Sequence, residues 1–408
     1  MDMHRVNTAP GQRRTEDNSH VAEGPKSEVT SDVKAKRRTK RVVHMSSVHP
    51  PYDTRIFLKE CRTLVKAGYE VTYVVAMEAD AEREGVKFVT VPASNGYLGR
   101  MFKTSRAVYR SALRLNADMY HFHDPELVPW ALLLRLRGKK VIMDVHENTT
   151  RDIMIKEWIP KAVRPILAFC FGALERVGAA SFNGIVAAFP GVLDELPKKK
   201  TVLAGNLPIL GELNTPSSIP FNQRPRRAAY VGQMTEIRGI FELLAGLAAL
   251  PKDFDFELHI AGQFLPESLL DEAKTKPGFE RMKVLGQISR SDVADLLSSV
   301  RFGVVFFQNV ASHTRSLPTK LFEYASAGLP TLGPDMAHWV EFIKEDAMGF
   351  CVDITNPAAI AERLMFMTDH PDECQEIGAH AREAVESRYN WDIEGARLIE
   401  LYDRILLN

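Results

Sequence analysis

The stretch Leu317-Pro-Thr-Lys-Leu-Phe-Glu-Tyr-Ala-Ser-Ala-Gly-Leu-Pro-Thr331 contains one complete step from a helix to a strand. Pro318 suits the first turn of a helix, where its missing N–H leaves no hydrogen bond unmade, and the apolar spacing predicts a helix over 319–327. Gly328 is the residue type that commonly follows a helix, and an apolar run begins at Pro330. A helix that ends in glycine directly before a strand is typical of an α/β unit.

The same alternation of strands and helices extends over most of the chain. The predicted strands are short and rich in β-branched residues, and they cover 41–45, 70–75, 86–91, 119–122, 140–145, 228–232, 256–262, 282–286, 302–307 and 330–332. Further helices are predicted over 54–67, 104–115, from about 240 to 250 and over 391–407. Strand, helix and strand in sequence predict right-handed crossovers and parallel sheets covered on both faces, so the predicted fold class is α/β.

A cluster of Pro, Ser, Asn and Gly over 207–225 interrupts this alternation and is a predicted linker. It separates an N-terminal Rossmann-like domain (41–206) from a C-terminal one (226–387), which agrees with a length of 408 residues. Parallel sheets bind ligands at the carboxyl ends of their strands, so we expect a cleft between the two domains. The polar residues 1–40 are predicted to be a disordered tail, and 388–408 to hold an amphipathic helix.

The composition excludes several classes of protein. Lys plus Arg number 52 and Asp plus Glu number 52, so the net charge of 0 argues against a basic nucleic-acid-binding protein. The 4 cysteines are far apart and form no cluster with histidine in the sequence, so we expect neither a zinc site nor a disulfide framework. The apolar runs are too short to span a bilayer and the N-terminus lacks a signal-peptide core, so a cytoplasmic location is expected.

Candidate ligand-binding residues flank two helix starts in the C-terminal domain. The helix over 319–327 would offer free amides and its positive dipole end to a phosphate, and Lys320 adds a charge. Glu323, expected to be an exposed first-turn acid, could accept hydrogen bonds from two ribose hydroxyls, although an ordinary capped helix would show the same spacing. At the other turn, Gly232 would allow a close backbone approach and Arg238 could clamp a phosphate.

The N-terminal domain is expected to bring histidine and carboxylate to neighbouring strand ends. We expect His121 and His123 to point to opposite faces of an extended segment, with His123 beside Asp124 facing the cleft. His146 and Glu147 occupy the equivalent position after the next strand. Such groups on adjacent strand ends favour a ligand-binding cleft, although a lone histidine is more often a structural hydrogen-bonding group.

Five stretches, taken in chain order, form a pattern that is more specific than any one of them. They are His49-Pro-Pro-Tyr-Asp-Thr-Arg-Ile-Phe-Leu-Lys-Glu60, Ala67-Gly-Tyr-Glu-Val-Thr72, His121-Phe-His-Asp-Pro-Glu126, Tyr230-Val-Gly232 with Arg238-Gly239, and Pro318-Thr-Lys-Leu-Phe-Glu-Tyr324 with Ala327-Gly-Leu-Pro330. This pattern resembles the family 4 retaining glycosyltransferases of the GT-B fold, from about residue 41 to the C-terminus. The resemblance implies a nucleotide-diphosphate sugar held by the second domain, an acceptor held by the first, and a last helix that returns to the first.

The resemblance also implies roles for the candidate residues. The implied catalytic residues are His123, against the transferred sugar, and Arg238 and Lys320, at the diphosphate. The implied donor-binding residues are Gly232, Gln233, Gly262, Pro318, Thr319 and Glu323. The implied acceptor-side residues are His49, Asp53, Arg55, His146 and Glu147. We expect no metal and no cofactor: cations and helix amides would neutralise the leaving diphosphate, which would itself take the acceptor proton in a front-face attack.

Two positions depart from the family pattern. Arg315 stands where the family usually has an acid, which leaves the donor sugar open, and His49-Pro50-Pro51 replaces a common Gly-Gly loop. The second change suggests that Asp53 and Arg55 shape the acceptor side differently. Two other functions therefore stay open: a nucleotide-sugar epimerase or hydrolase on the same fold, and a non-catalytic nucleotide-binding module.

The segment 156–177 bears on the partners of the protein. Basic residues precede an apolar run, and Trp158 and Phe169 are residue types that settle at a membrane surface. The same spacing fits a helix buried against the sheet. If the helix is interfacial, the basic run 34–41 would add attraction to anionic lipid, and the protein would be peripheral on the inner face of the membrane. The expected partners are a nucleotide sugar and a glycan or lipid-linked acceptor.

Overall fold

The computed structural model describes residues 38–94, 96–146, 149–155, 159–309 and 319–407. The described part of Thr39–Asn408 forms one compact unit. The predicted tail lies almost wholly outside the described residues, as does the first half of the basic run 34–41.

An eight-stranded sheet forms the centre of the N-terminal half. Its strands are β1 (Arg41–Met45), β2 (Glu70–Ala76), β3 (Ala81–Arg83), β4 (Val86–Val91), β5 (Met119–Phe122), β6 (Lys140–Val145), β7 (Gly184–Ala187) and β8 (Thr201–Leu203). Their spatial order is β3-β4-β2-β1-β5-β6-β7-β8, and the ladders between described strands are parallel except for that of β3 with β4. Strands β1, β2, β5, β6 and β7 are buried along nearly their whole length, as expected for strands covered by helices on both faces.

A six-stranded sheet forms the centre of the C-terminal half. Its strands are β9 (Arg227–Val231), β10 (Glu257–Ala261), β11 (Met282–Gly286), β12 (Phe302–Val304), β13 (Thr331–Pro334) and β14 (Gly349–Val352). The order is β11-β10-β9-β12-β13-β14, and the ladders are parallel. The predicted α/β class with two parallel sheets is confirmed.

Helices cover both sheets. The α-helices are α1 (Arg62–Lys66), α2 (Gly96–Gly99), α3 (Ser105–Leu115), α4 (Val128–Leu136), α5 (Thr149–Ile155), α6 (Arg164–Ser181), α7 (Ile240–Ala248), α8 (Ser268–Lys274), α9 (Arg290–Ser299), α10 (Thr319–Ser326), α11 (Ala337–Glu345), α12 (Pro357–Asp369), α13 (Pro371–Ser387) and α14 (Trp391–Leu406). The 3-10 helices are Pro125–Leu127, Pro190–Glu195, Lys198–Lys200, Phe221–Gln223, Glu236–Arg238 and Phe279–Arg281. The segments Thr54–Cys61 and Arg100–Thr104 are π-helices, so the helix predicted over 54–67 is present but its first half is π-helical.

Each sheet has an apolar cluster on both faces. Trp391, Leu398 and Tyr402 of α14 belong to the cluster that also holds Val42 of β1, so the last helix packs on the N-terminal sheet. The preceding helix, α13, packs against α10 on the C-terminal sheet. The chain therefore crosses between the two halves around residue 388.

Helix α6 is not the buried helix that one interpretation of its sequence predicted. Its side chains Ile166, Phe169 and Val177 are 64%, 71% and 56% exposed. Ala168 and Gly172 form the buried side of the helix. Within the described residues, no helix has both the length and the apolar character that crossing a membrane requires.

Candidate active site

A cavity of about 950 Å³ lies between the carboxyl ends of the two sheets. The N-terminal half contributes side chains from the loops after β1, β6 and β8, namely His49, Asp53, Arg55, His146 and Asn206. The C-terminal half contributes Gly232, Gln233, Arg238, Thr319 and Lys320. Helix α14 adds Glu394 and Arg397. Residues from distant parts of the sequence therefore meet at one opening.

The turn after β9 brings backbone close to the cavity. Gly232 has φ +140°, and a Cβ at this position would lie 3.3 Å from Lys320 Cε. At Gly262, after β10, a Cβ would lie 1.8 Å from the carbonyl oxygen of Gly232. Gly262 is therefore required for the two turns to pack, and it supports the Gly232 turn from behind.

Two cations and a helix start form the C-terminal wall of the cavity. Thr319 and Lys320 stand on the first turn of α10 and line the cavity. Arg238 lines it from the turn after β9, where its Nη1 donates a hydrogen bond of 2.9 Å to the carbonyl of Gln233. Positive charge and the amino end of a helix together favour a phosphate or diphosphate at this wall.

Behind this wall, Glu323 lies in a network of ion pairs. Its two oxygens accept hydrogen bonds from Arg290 Nη1 at 2.9 Å and from Lys320 Nζ at 2.7 Å. Arg290 also donates to Glu212 at 2.6 Å. Burial raises the pKa of Glu323, but the charges of Lys320 and Arg290 outweigh it and bring this pKa to about 2. The expectation that Glu323 is an exposed first-turn acid is wrong. Glu323 is the fifth residue of α10, beyond its first turn, and these two cations hold it inside, where the residue is 7% exposed.

The loop after β1 forms the N-terminal wall. Asp124, which follows β5, accepts hydrogen bonds from Ser46 Oγ at 2.8 Å and from the Ser47 amide at 2.6 Å. Ser46 Oγ in turn accepts from the amide of His49 at 3.0 Å. Asp124 thereby folds the loop so that the His49 side chain lines the cavity.

His49 stands among carboxylates. Its Nδ1 is 3.4 Å from Asp53, and its Nε2 is 3.2 Å from Nε2 of His146 and 3.5 Å from Asp124. Burial lowers the pKa of His49, but the hydrogen bond that His49 donates to Asp53 and the nearby carboxylate charges outweigh burial and raise it to about 9. Asp53 also caps the π-helix, accepting from the amides of Arg55 and Ile56. The N-terminal wall therefore carries a protonated histidine at neutral pH.

Arg55 holds three elements together at the base of this wall. Its Nε and Nη2 donate to the two oxygens of Asp144 at 2.8 and 2.7 Å, and its Nη1 donates to the carbonyl of Ala204 at 2.9 Å. Asp144 ends β6, and Ala204 follows β8. Nearby, Lys59 donates to the side chain of Asn206, and burial lowers the pKa of Lys59 to about 7.

His123 does not line this cavity. Its side chain is 0% exposed, with Nδ1 3.0 Å from Asp144 and Nε2 2.9 Å from Nδ1 of His44. The expectation that His121 and His123 point to opposite faces is wrong: residues i and i+2 of a strand share a face, and these two rings are 4.6 Å apart. His123 reaches the cavity indirectly, because Asp144 lies between it and His146, whose Nδ1 is 3.6 Å from the same carboxylate.

Two family models match the chain. Residues 54–201 match the model described as Glycosyltransferase Family 4, and residues 213–384 match the model described as Glycosyl transferases group 1. The chain belongs to the family 4 glycosyltransferases. The activity of this enzyme is therefore glycosyl transfer.

Individual relatives agree with the family. The D-rhamnosyltransferase WbpZ of Pseudomonas aeruginosa is 25% identical over 314 residues, which cover 73% of this chain and 74% of the relative. The GDP-mannose:cellobiosyl-diphosphopolyprenol alpha-mannosyltransferase of Xanthomonas oryzae pv. oryzae is 25% identical over 301 residues, covering 70% and 74%. The structure of sucrose-phosphate synthase from Thermosynechococcus elongatus superimposes with a TM-score of 0.71 at 17% identity, over 91% of this chain and 100% of that one. The fold of this glycosyltransferase is GT-B.

Most of the candidate residues of this glycosyltransferase meet at the cavity, but some do not. Glu323 and Gly262 lie behind its C-terminal wall, and His123 lies behind its N-terminal wall. Pro318, Glu147 and Arg315 are outside the described residues, so the roles predicted for them stay predictions.

Sequence reasoning also missed several residues of this glycosyltransferase. They are Lys59, Asp144, Glu212 and Arg290. The signal for Asp144 was its place near a strand end, two residues before the singled-out His146. Glu212 lies inside the predicted linker, and the residues around it do not predict an ion pair.

Proposed function

We propose that this enzyme transfers a sugar from a nucleotide-diphosphate sugar with retention of configuration and without a metal ion on the diphosphate. The observation that carries the proposal is the C-terminal wall of the cavity, where Arg238, Lys320 and the first turn of α10 converge. These groups supply the positive charge that a divalent ion supplies in other transferases. No cofactor is needed, because the nucleotide sugar is a substrate.

In this proposal the donor lies along the C-terminal wall. Its diphosphate contacts Arg238, Lys320 and the backbone amides that follow Pro318, and passes close to the backbone of Gly232 and Gln233. The ribose hydroxyls donate to Glu323, whose carboxylate Arg290 and Lys320 already orient. A carboxylate with a pKa of about 2 stays an acceptor at every physiological pH.

The acceptor enters from the other wall, formed by His49, Asp53, Arg55 and His146, with Glu147 following. Its hydroxyl oxygen forms the new bond to the anomeric carbon on the face that the phosphate leaves. The bond from that carbon to the phosphate oxygen breaks with its electron pair on the phosphate, and this oxygen takes the hydroxyl proton. The cations at the diphosphate stabilise the charge that develops there.

We propose that the acceptor is lipid-linked and that the N-terminal half contacts an anionic membrane surface. One relative is named for a diphosphopolyprenol acceptor. Helix α3 and the residues before it present a row of exposed cations, Lys103, Arg106, Arg110 and Arg114, beside a surface depression of about 810 Å³. Helix α4 lies between α3 and the apolar face of α6. Basic and apolar surfaces side by side are what a peripheral membrane protein presents to anionic lipid.

A donor and product assay tests the proposed chemistry. Thermal shift with UDP, GDP, ADP and their sugars should show one nucleotide that raises the melting temperature, because a ligand that binds the native state stabilises it. Nuclear magnetic resonance of the product should then give the anomer of the donor. Nucleotide release that does not depend on an acceptor would favour a hydrolase, and binding without turnover would favour a non-catalytic module.

Liposome flotation tests the membrane contact. Protein should float with anionic vesicles at low salt and be released at high salt, since salt screens surface charge. Arg106→Glu with Arg110→Glu should abolish flotation, whereas Lys252→Glu with Lys283→Glu, an equal charge change at exposed sites of the C-terminal half, should not. Equal flotation of both variants, or none for the wild type, would contradict a contact through α3.

A further inference from the structure

Four side chains that are far apart in the sequence meet inside the N-terminal half. They are His44 of β1, Glu60 of the π-helix Thr54–Cys61, and His121 and His123 at β5 and its end. Each is at most 1% exposed. One ligating atom from each lies within 4.8 Å of the others. Their spacing of 44, 60, 121 and 123 along the chain resembles no metal-binding motif, so the sequence gives no sign of the cluster.

The distances fit a four-coordinate metal ion. His44 Nδ1 and His123 Nε2 are 2.9 Å apart, and each is 4.0 Å from Glu60 Oε2. His121 Nδ1 is 3.6 Å from the same oxygen. An ion with bonds of about 2.0–2.1 Å to four ligands holds them about 3.3 Å apart, so small side-chain shifts would close this set around an ion.

The outer nitrogens of two histidines have the partners that a metal site needs. His123 Nδ1 is 3.0 Å from the carboxylate of Asp144, and His44 Nε2 is 3.2 Å from the hydroxyl of Tyr402 on α14. With protons on these outer nitrogens, Nε2 of His123 and Nδ1 of His44, which face each other at 2.9 Å, would present their lone pairs to an ion. The same hydroxyl of Tyr402 is 2.7 Å from Nδ1 of His121, so an ion bound by this nitrogen would replace that hydrogen bond.

A second observation points to a missing cation. Among the described residues, neither carboxylate oxygen of Glu60 has a hydrogen-bond partner, nor has Nε2 of His121, and all three atoms are buried. The charge nearest to Glu60 is Arg55, with Nε 3.3 Å from Oε1, but Arg55 is already bonded to both oxygens of Asp144. Arg55, Glu60 and Asp144 together carry one excess negative charge when both acids are ionised. A buried carboxylate without a donor is costly, and a cation removes that cost.

We propose that His44, Glu60, His121 and His123 bind one divalent transition-metal ion of the Zn²⁺ type. Three imidazoles and one carboxylate suit such an ion, and the absence of an open position among these buried ligands makes the site structural. The ion joins the π-helix to β1 and β5 and, through Tyr402, to α14. It does not touch the donor cavity, so this inference is independent of how the diphosphate is neutralised.

Metal analysis of the full-length protein tests the site. The purified chain should contain about one Zn²⁺ per molecule, or take up that amount after unfolding in chelator and refolding with Zn²⁺. Refolding with Co²⁺ should give the visible absorption of tetrahedral Co²⁺ with nitrogen and oxygen ligands. The melting temperature should be higher for protein refolded with metal than for protein refolded in chelator.

Variants separate this site from adventitious binding. Glu60→Gln should lower the metal content from about one to below about a tenth of an ion per chain and remove the Co²⁺ absorption. His259→Asn, which changes a buried histidine of the C-terminal half that is paired with Glu257, should keep both. If Glu60→Gln does not fold, the refolding of the wild type decides. Two results would overturn the proposal: wild-type protein that takes up no stoichiometric ion, or a Glu60→Gln variant that binds as much metal as the wild type. The cluster would then hold protons and not a metal.

Discussion

Replacing Asp144 by Asn should strongly destabilise the N-terminal half of the protein. In the wild type, Asp144 accepts two hydrogen bonds from Arg55, at 2.8 and 2.7 Å, and one from His123 at 3.0 Å. The carboxylate of Asp144 is 0% exposed and the Arg55 side chain 8% exposed. An amide at this position keeps one acceptor and turns N–H groups toward a guanidinium that also has N–H groups.

The magnitude follows from the charge that the substitution leaves behind. Removing one partner of a buried ion pair costs about 3–5 kcal/mol, because the other charge stays buried without compensation. Glu60 at 3.3 Å remains near Arg55 and favours the lower end of that range. At about 2–4 °C per kcal/mol for a domain of this size, the melting temperature should fall by roughly 10 °C.

Circular dichroism melting of three proteins checks this. Asp271→Asn is the matched control, because it removes an ion pair with Lys274 at a side chain that is 81% exposed, and it should melt like the wild type. Arg55→Met combined with Asp144→Asn should recover part of the loss, since the unpaired charge is gone. An Asp144→Asn protein that melts within about 2 °C of the wild type would refute the argument that this pair holds the fold.

Four further predictions concern the cavity. Arg238→Ala should weaken nucleotide-diphosphate binding by roughly 10- to 100-fold, the equivalent of one charged hydrogen bond, and unchanged affinity in calorimetry would place the clamp elsewhere. Glu323→Gln should weaken nucleotide binding but not binding of inorganic diphosphate; equal effects on both would remove its ribose role. Transfer measured during a short exposure to excess EDTA should continue, and a loss restored by Mg²⁺ would contradict metal-free neutralisation. The pKa of His49 is about 9 in the folded chain and 6.5 in the unfolded chain, so protonated His49 contributes at most about 3 kcal/mol to the free energy of unfolding. This contribution is complete below pH 6.5 and is lost as the pH rises through 9. The stability difference between the wild type and His49→Gln, measured by urea unfolding, should shrink over that range, and a constant difference would contradict the assignment.

The sequence predicts the fold well where local patterns are strong. Apolar runs with β-branched pairs, Val42-Val43 in 41–45 and Val141-Ile142 in 140–145, form central strands of the first sheet, because strands covered on both faces bury most of their side chains. Strands β7 and β8, of only 4 and 3 residues, were not predicted. Parallel topology then places the strand ends, and so much of the cavity lining, at one edge.

The ion pairs behind the walls could not be predicted in this way. Glu212 and Arg290 are 78 residues apart, and Lys59 and Asn206 are 147 residues apart. Their contacts depend on how the two halves and the segment 207–225 pack, which no local pattern records. Burial of Glu323 has the same origin, because an exposed acid and a paired acid on a helix have identical sequence surroundings.

The π-helix Thr54–Cys61 explains why Glu60 was missed. Arg55 and Glu60 are five residues apart, and five residues of an α-helix advance about 500°, which leaves their side chains about 140° apart. Hydrogen bonds from i to i+5 widen the turn and bring positions five apart to one face, and here Arg55 Nε lies 3.3 Å from Glu60 Oε1. An analysis based on a period of 3.6 therefore assigns Glu60 to a different face from Arg55. With the wider turn, one segment supplies Arg55 to the N-terminal wall of the cavity and Glu60 to the buried histidines, so the cavity wall and the histidine cluster are joined through a single helix.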